Sequence, residues 1–459
     1  MNSVTIPSSF RDPSGFLFYR DGSIFRQVNE LYKENYDHLM NSGVYEILVA
    51  EELLIPHEEV NMEGVRPDLA YKIIRPELIP FISYPYEWSF SQLKDAALAT
   101  LSIQKRSVDF GMSLKDCSAY NIQFRDSKPV FIDTLSFEKY HEGQPWVAYR
   151  QFCQHFLAPL ALMSYRDVRL NQLLRVYMDG VPLDLASSLL PFRTRFVFSL
   201  LSHIHLHARS QKHFADKAVN LSSRKVSRLS FLGLINNLES AVKKLRWRPR
   251  DTEWAHYYED TNYSSDAFMH KKQIVSEFLE KIKPNSVWDL GANVGMFSRI
   301  ASNKGINTIS FDIDPAAVEL NYLECVKKGE TSILPLLLDV TNPSSSIGWQ
   351  NQERMSILER GPADTVLALA LIHHLAVSNN VPMDKIAEFL YTICTSLIIE
   401  FVPKNDSQVQ RLLSSREDIF PDYTQPVFEQ EFGRYFAVQD CISIRDSERT
   451  IYLMQRSRN

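Results

Sequence analysis

The chain has only five cysteines in 459 residues, at 117, 153, 325, 394 and 441, and they form no C-x-x-C pair. That scatter excludes a disulfide framework or a zinc ribbon and reads as reduced core thiols of a cytoplasmic protein. No run approaches the roughly 18 uninterrupted apolar residues of a membrane span. The opening MNSVTIPSSFRDPSG lacks both the basic start and the apolar stretch of a secretory signal. Excess charge is missing too: 50 Lys and Arg face 55 Asp and Glu, a net charge of −5, which gives no global drive toward nucleic acid. Internal repeats and low-complexity tracts are absent. What remains is a chain 45% hydrophobic and long enough for two or three domains, each with its own core.

The most informative stretch is VWDLGANVG (287–295), an apolar strand running into a turn that carries Gly291 and Gly295. Glycine lets the backbone bend sharply and approach a ligand, and Asn293 is the residue type that best tolerates positive φ after it. From Met296 a helix is expected, since FSRIASNKG has apolar spacing and ends in Lys304-Gly305. Asp312 then closes a second apolar run, NTISFD, 21 residues after Gly291. A carboxylate at that separation, on the tip of the next strand, is placed to accept ribose hydroxyls. A third run, ILPLLLD, ends in Asp339, placed for an adenine amino group. DTVLALALIHH and TSLIIEF have the continuous apolar character of strands covered on both faces. YFAVQDCISI and RTIYLM, joined at Arg445-Asp446-Ser447-Glu448, suit an antiparallel hairpin at a sheet edge. The alternation over 274–459 predicts an open, doubly wound α/β sheet.

DLGANVG (289–295), FDIDP (311–315), LLLD (336–339), ALALIHHL (368–375) and LIIEF (397–401) occur in the order and spacing of the class I S-adenosylmethionine-dependent methyltransferases. Residues 270–459 resemble that family, terminal hairpin included. The resemblance implies a Rossmann-like fold with S-adenosylmethionine as cofactor. It implies that Asp289 faces the methionine ammonium and that Gly291, Ala292, Asn293 and Gly295 pass along the methionine and ribose. Asp312 would hold the ribose hydroxyls and Asp339 the adenine edge, with Ile313 and Val340 beside them as further cofactor-binding residues. The alternatives are a non-catalytic version of the fold and a dinucleotide-binding oxidoreductase, whose glycine turn cradles a pyrophosphate. Against the oxidoreductase stands Asp289, which repels phosphates and attracts an ammonium.

Methyl transfer from a sulfonium is a direct displacement, so the protein aligns the acceptor and removes a proton where one must leave. His373 and His374 follow the fourth strand, where this fold opens its cleft, and an imidazole titrates in the range needed for a sugar hydroxyl. The bland reading is that one of them packs or caps the following loop. Glu400, at the end of the fifth strand, is a second candidate, as a carboxylate that binds the acceptor, and Tyr257, Tyr258 and Tyr263 either close over the cofactor or simply pack. No Asn/Asp-Pro-Pro-Tyr and no Pro-Cys follow the fourth strand, which excludes adenine-N6 and cytosine-C5 chemistry. His203, His205 and His207 fall in a predicted helix that turns His205 away from the other two, against a metal site.

The first half has its own chemistry. SGFLFYRDGSIFRQV predicts a hairpin turning at Asp21-Gly22, and SQLKDAALATLSIQKRSVDFG a helix ending at Gly111. In the following loop Asp116 and Asn121 form a D-x4-N pair, and Asp133 closes the short strand PVFID. This constellation resembles protein-kinase-like phosphotransferases, closest to the aminoglycoside-kinase branch. The resemblance implies an α+β domain with Asp116 as base, Asn121 and Asp133 as Mg²⁺ ligands, and ATP as co-substrate. The match departs from the pattern in three places. No glycine-rich loop precedes the hairpin, Lys115 stands before Asp116, and only Arg26 or Lys72 offers itself as the third-strand lysine. The alternatives are a pseudokinase scaffold and an unrelated domain in which these are turn residues.

Residues 206–250 carry eleven Lys or Arg against Asp216 and Glu239, and FLGLINNLESAVKKLRW has Leu232, Ile235, Leu238, Val242 and Leu245 at helical spacing. The domain reading is therefore a kinase-like α+β domain over 1–205, a basic helical linker over 206–255 and a methyltransferase domain over 256–459. The linker is either a solvated connector or a basic lid for an acidic acceptor. With ISYPYEWSF (82–90) and LKDCSAYNIQF (114–124), the whole chain also resembles bacterial nodulation-type methyltransferases, which implies a glycan or small-molecule acceptor. The expected activity is O-methylation, with a bifunctional kinase–methyltransferase or an inactive two-domain scaffold as alternatives.

Overall fold

Hydrogen bonding of the Asp21-Gly22 turn sets the first element in place. Both residues adopt left-handed backbone (φ 52° and 78°), and Arg20 pairs directly with Ser23, so the two-residue turn matches the strand twist. The computed structural model describes residues 3–209, 226–249, 263–414 and 417–457. Tyr257 and Tyr258, the basic stretch 210–225 and residues 250–262 lie outside the described residues. The chain forms two units, one of Met1–Arg248 with Ile347–Arg354 and one of Pro249–Ser346 with Met355–Asn459.

In the first unit, β1 (Ser3–Thr5), β2 (Gly15–Arg20), β3 (Ser23–Asn29), β4 (His57–Val60) and β5 (Ala70–Pro76) make an antiparallel sheet of order β1-β2-β3-β5-β4. The Phe90–Asp109 helix follows, opened by a capping box between Ser89 and Gln92. Its buried Leu93, Ala97, Leu101 and Val108 recur at helical spacing. Two ribbons then frame the D-x4-N loop: β6 (Met112–Leu114) pairs with β9 (Phe137–Lys139), and β7 (Ile122–Arg125) with β8 (Lys128–Phe131). The Arg228–Lys244 helix buries Ile235, Leu238 and Val242 of the expected apolar face, with Phe231 buried in place of the half-buried Leu232. It belongs to this unit and is tied to the Phe90–Asp109 helix by a Lys105–Glu239 ion pair and by Lys94 Nζ donating to the Leu245 carbonyl at 2.9 Å. In the same unit Glu353 receives Arg11 through Nε at 2.8 Å.

The second unit holds a seven-stranded sheet of β10 (Ser286–Leu290), β11 (Asn307–Asp312), β12 (Ile333–Leu337), β13 (Ala363–Ala368), β14 (Cys394–Phe401), β15 (Phe436–Ser443) and β16 (Thr450–Arg456). Its order is β12-β11-β10-β13-β14-β16-β15; the first five strands run parallel, and β16 and β15 close the edge antiparallel. Strand order reverses between β10 and β13, which is where an open α/β sheet leaves a crevice beyond its carboxyl ends. The Pro315–Lys328 helix starts with Asp314 capping Ala316 N–H at 2.9 Å and stops at Gly329 (φ 65°).

One element differs from expectation. The apolar run DTVLALALIHH is strand only to Ala368, because Ala370 takes left-handed backbone (φ 50°) and no strand continues through that geometry. His374 opens a helical turn, His374–Ser378, with His373 just before it. Among the described residues no helix is long and apolar enough to cross a membrane.

Candidate functional site

β10 delivers Asp289 to the carboxyl edge of the sheet, where it is 2% exposed. The Ser298 hydroxyl donates to its Oδ2 at 2.6 Å. The glycine turn that follows is held against β11, since the N–H groups of Gly291 and Ala292 both reach the Phe311 carbonyl at 2.9 Å. Gly291 (φ 74°), Asn293 (φ 52°) and Gly295 (φ 78°) all use left-handed backbone. At Gly295 a second constraint applies, because an added Cβ would stand 2.5 Å from the side chain of Asn321. Asn321 itself is fixed, donating to the Ser310 hydroxyl at 2.8 Å. Gly295→Ala is therefore expected to destabilise the second unit by about 2 kcal/mol or more, read as a lowered midpoint in urea.

β11 delivers Asp312 beside the turn. Its Oδ2 accepts Asn293 N–H at 2.7 Å and its Oδ1 accepts Asp314 N–H at 2.8 Å. These bonds couple the carboxylate to the glycine turn, so the two move as one piece. Burial, with the nearby charge of the other, pushes Asp289 up to about 6; burial, opposed by backbone N–H donors, pushes Asp312 up to about 6. Ile313, next to Asp312, is 61% exposed and lies open beside it. Asp339 stands two residues past β12, and its Oδ1 accepts from Thr341 N–H at 2.8 Å and the Thr341 hydroxyl at 2.6 Å. That carboxylate is half-buried and shapes its own loop; Val340 beside it is half-buried too.

Behind this edge lies a charged cluster that sequence reasoning missed in part. Lys271 Nζ donates to Glu400 Oε2 at 2.6 Å, and the Tyr263 hydroxyl donates to the other oxygen. Arg449 donates to the Tyr263 oxygen at 2.7 Å and to both oxygens of Asp406, at 2.7 and 3.0 Å. Lys271, Glu400 and Arg449 are all buried. Despite burial, Lys271 and Arg449 hold the Glu400 carboxyl below its usual range, while burial lowers Lys271 itself. The Glu400 oxygens are thus spent on cations and a phenol. A signal for Lys271 did exist: it falls on the apolar spacing of the Ser265–Ile282 helix, with Ala267, Ile274, Val275 and Phe278.

His373 is 1% exposed, and its Nδ1 is buried without a hydrogen-bond partner. Burial, then the neighbouring His374, Arg449 and Lys271, keep it well below the ordinary imidazole range and therefore neutral. The His374 ring lies 4.2 Å from the His373 ring, centroid to centroid. Among the described residues no three His, Cys, Asp or Glu side chains are grouped as a metal site. His203 bonds Tyr149 and Asn237, whereas His205 bonds Ser187 and Thr194.

In the first unit, Asp116 Oδ1 accepts Ser118 N–H at 2.9 Å and Gln151 Nε2 at 2.7 Å. Asn121 Nδ2 donates to the Ser136 hydroxyl at 3.2 Å, and that hydroxyl donates to Asp133. Arg26 forms an ion pair with Asp133, while Lys72 pairs with Glu59 at 2.6 Å.

No family model matches the chain. It is similar to the nodulation protein NoeA of Rhizobium meliloti (strain 1021), at 36% identity over 460 residues, which spans 98% of this chain and 96% of that protein. Among solved structures it is similar to magnesium protoporphyrin IX methyltransferase (ChlM) from Synechocystis PCC 6803 with bound SAH. There the identity is 19%, the coverage 44% of this chain and 93% of that one, and the TM-score 0.32. WbdD in complex with the kinase inhibitor LY294002 matches at 13% identity, covering 44% of this chain and 43% of that one, with a TM-score of 0.30. The N-methyltransferase NodS from Bradyrhizobium japonicum WM9 matches at 10% identity, covering 42% and 99%, with a TM-score of 0.30.

Proposed function

The chain belongs to the family of the nodulation protein NoeA, and from that premise we propose that its second unit is an S-adenosylmethionine-dependent methyltransferase acting on a hydroxyl of a small or glycan-type acceptor. One observation carries the reading: two buried carboxylates, Asp289 and Asp312, flank a left-handed glycine turn at the point where strand order reverses. Both are charged only at a desolvation cost, which a ligand offsets by bringing a cation to one and hydroxyl donors to the other. An adenosyl sulfonium amino acid has that donor set, and a dinucleotide pyrophosphate has the wrong sign. When bound, the cofactor supplies an electrophilic methyl group. In this reading Asp289 takes the ammonium, Asp312 the ribose hydroxyls, exposed Ile313 the flat face of the base, and Asp339 with Val340 its edge. The turn residues Gly291, Ala292, Asn293 and Gly295 give the backbone its close approach.

His373 is the favoured proton acceptor for the acceptor hydroxyl. Its Nδ1 has no hydrogen-bond partner, and burial holds the ring well below the ordinary imidazole range, which keeps it neutral while making it a weaker base than a free imidazole; His374, beside it, is the second candidate. Tyr263, locked between Glu400 and Arg449, would form a fixed wall near the crevice.

Titration calorimetry of S-adenosylmethionine into the full chain tests the proposal. Binding requires the ionised carboxylates, so affinity is expected to hold above about pH 6 and to fall as pH drops through it, by up to about tenfold per unit for each carboxylate that must ionise. The sign is the reverse for the free protein. Both carboxyls are raised from their unfolded value, so stability without ligand declines as pH rises from about 4 to 6. Absence of binding at millimolar donor, or preferential binding of a nicotinamide dinucleotide, sinks the reading.

For the first unit, the element order supports a second proposal, a kinase-like module. A hairpin and paired strands are followed by a long helix, the loop of Asp116 and Asn121, and then Asp133. Were that module active, Asp116 would orient an acceptor hydroxyl, and Asn121 with Asp133 would hold Mg²⁺ against ATP, making the protein bifunctional; were neither unit active, it would be a scaffold.

A further inference from the structure

The kinase-like reading implies a divalent metal at Asn121 and Asp133, and the residues around them do not fit one. Asp133 lies between β8 and β9 with both oxygens engaged. Its Oδ1 takes the Arg26 guanidinium and the Leu135 N–H at 3.1 Å, and its Oδ2 takes the Ser136 hydroxyl. Arg26 comes from the middle of β3, in the strand register opposite Leu17 and Ile74, so the sheet itself aims it. The pair is sheltered, with side chains 13% and 14% exposed. Asn121 is tied to the same Ser136 hydroxyl, and Asp116 to Ser118 and Gln151. The neighbouring Lys115 is held by Ser14 at 2.9 Å and lies over the Tyr32 ring. Both oxygens of Asp133 and one oxygen of Asp116 are therefore bonded inside the unit, and one of the Asp133 bonds is to a permanent cation.

A guanidinium beside a carboxylate neutralises it as a metal would, but it leaves no coordination position. A divalent ion entering there would have to displace Arg26 from the one carboxylate it pairs with among the described residues and then sit beside that positive charge. We infer that Arg26 is the resident cation of this site, standing where the metal of a phosphotransferase would stand, and that the first unit of this protein takes up no divalent metal and transfers no phosphoryl group. The inference rests on the kinase-like reading of the first unit and sets its chemistry: a module that holds its shape without metal.

Electron paramagnetic resonance of Mn²⁺, alone and with ATP, added to the full chain decides the matter. The wild-type protein is expected to leave the Mn²⁺ signal free at millimolar concentration. Arg26→Met strips the resident charge and exposes the Asp133 oxygens, so it is expected to bind Mn²⁺ and to gain thermal stability from it; Arg26→Met with Asp133→Asn is expected to lose both effects. Mn²⁺ binding by the wild type that Asp133→Asn abolishes overturns the inference while leaving the kinase-like reading in place. Silence from both the wild type and a folded Arg26→Met overturns the kinase-like reading together with the inference. If Arg26→Met fails to fold, the wild-type and Asp133→Asn signals decide alone, because Asp133-dependent Mn²⁺ uptake contradicts the inference and its absence agrees with it.

Discussion

Glu400→Leu is expected to destabilise the second unit by about 3–5 kcal/mol, the largest stability effect of any single substitution here. Glu400 is fully buried at the end of β14, and it is the shared anion of Lys271 Nζ, the Tyr263 hydroxyl and the Arg449 guanidinium. Taking it away leaves an ammonium and part of a guanidinium in a dry interior with Asp406 as the remaining carboxylate partner. That desolvation penalty exceeds what the leucine side chain returns through burial, about 2 kcal/mol. A double cycle separates the charge effect from packing. Lys271→Met alone leaves Glu400 to Arg449 and Tyr263, and adding it to Glu400→Leu removes the stranded ammonium. The double variant is therefore expected to lose less than the sum of the singles, by about 1–3 kcal/mol. Scanning calorimetry on the full chain reads this, provided the transition of the second unit is followed. Strict additivity would mean that the two side chains do not interact. The pH dependence carries a sign as well. Glu400 has a lowered carboxyl, so its contribution is present above the ordinary carboxylate range and disappears only as pH falls through the depressed value.

The parts of this site that lie within one strand–turn–strand segment were legible in the sequence, and the parts assembled across the chain were not. VWDLGANVG announces a strand and a positive-φ turn because only glycine and asparagine serve there, and Asp312 follows at the separation one short helix and one strand require. The antiparallel β15–β16 edge was readable from its tight turn and alternation. Lys271 and Glu400 are 129 residues apart, Tyr263 and Arg449 186, and Arg26 and Asp133 107. No local periodicity links residues at such separations, and only the packing of separate elements brings them together. Glu400 was singled out, but as a group facing an acceptor; its pairing with Lys271, Tyr263 and Arg449 was not visible, although Lys271 falls on an apolar helix face and Tyr263 reads as an aromatic beside the domain. The early end of β13 was hidden for a different reason. LALIHH continues the apolar run past Ala368, and hydropathy cannot report the reversal of φ at Ala370.

Asp312→Ala is expected to weaken S-adenosylmethionine and S-adenosylhomocysteine binding by about 100-fold or more, the largest functional effect of any change at this edge. A carboxylate accepting two hydroxyls makes charge-assisted bonds of about 1.5–3 kcal/mol each, which together correspond to a loss of that order. The same side chain accepts Asn293 and Asp314 N–H groups, so a loss of affinity by itself does not separate direct recognition from a loosened glycine turn. Comparing S-adenosylhomocysteine with its 2′-deoxy counterpart makes the separation. If Asp312 grips the hydroxyls, the wild-type protein discriminates strongly between the two ligands, and the alanine variant binds both about equally. If Asp312 serves only to brace the turn, both ligands lose affinity in parallel and the discrimination survives substitution. A carboxylate that costs energy to bury and sits beside a backbone bent for close approach makes physical sense in the first case. In the second, a neutral side chain accepting the same two N–H groups would hold the turn without the raised carboxyl found here.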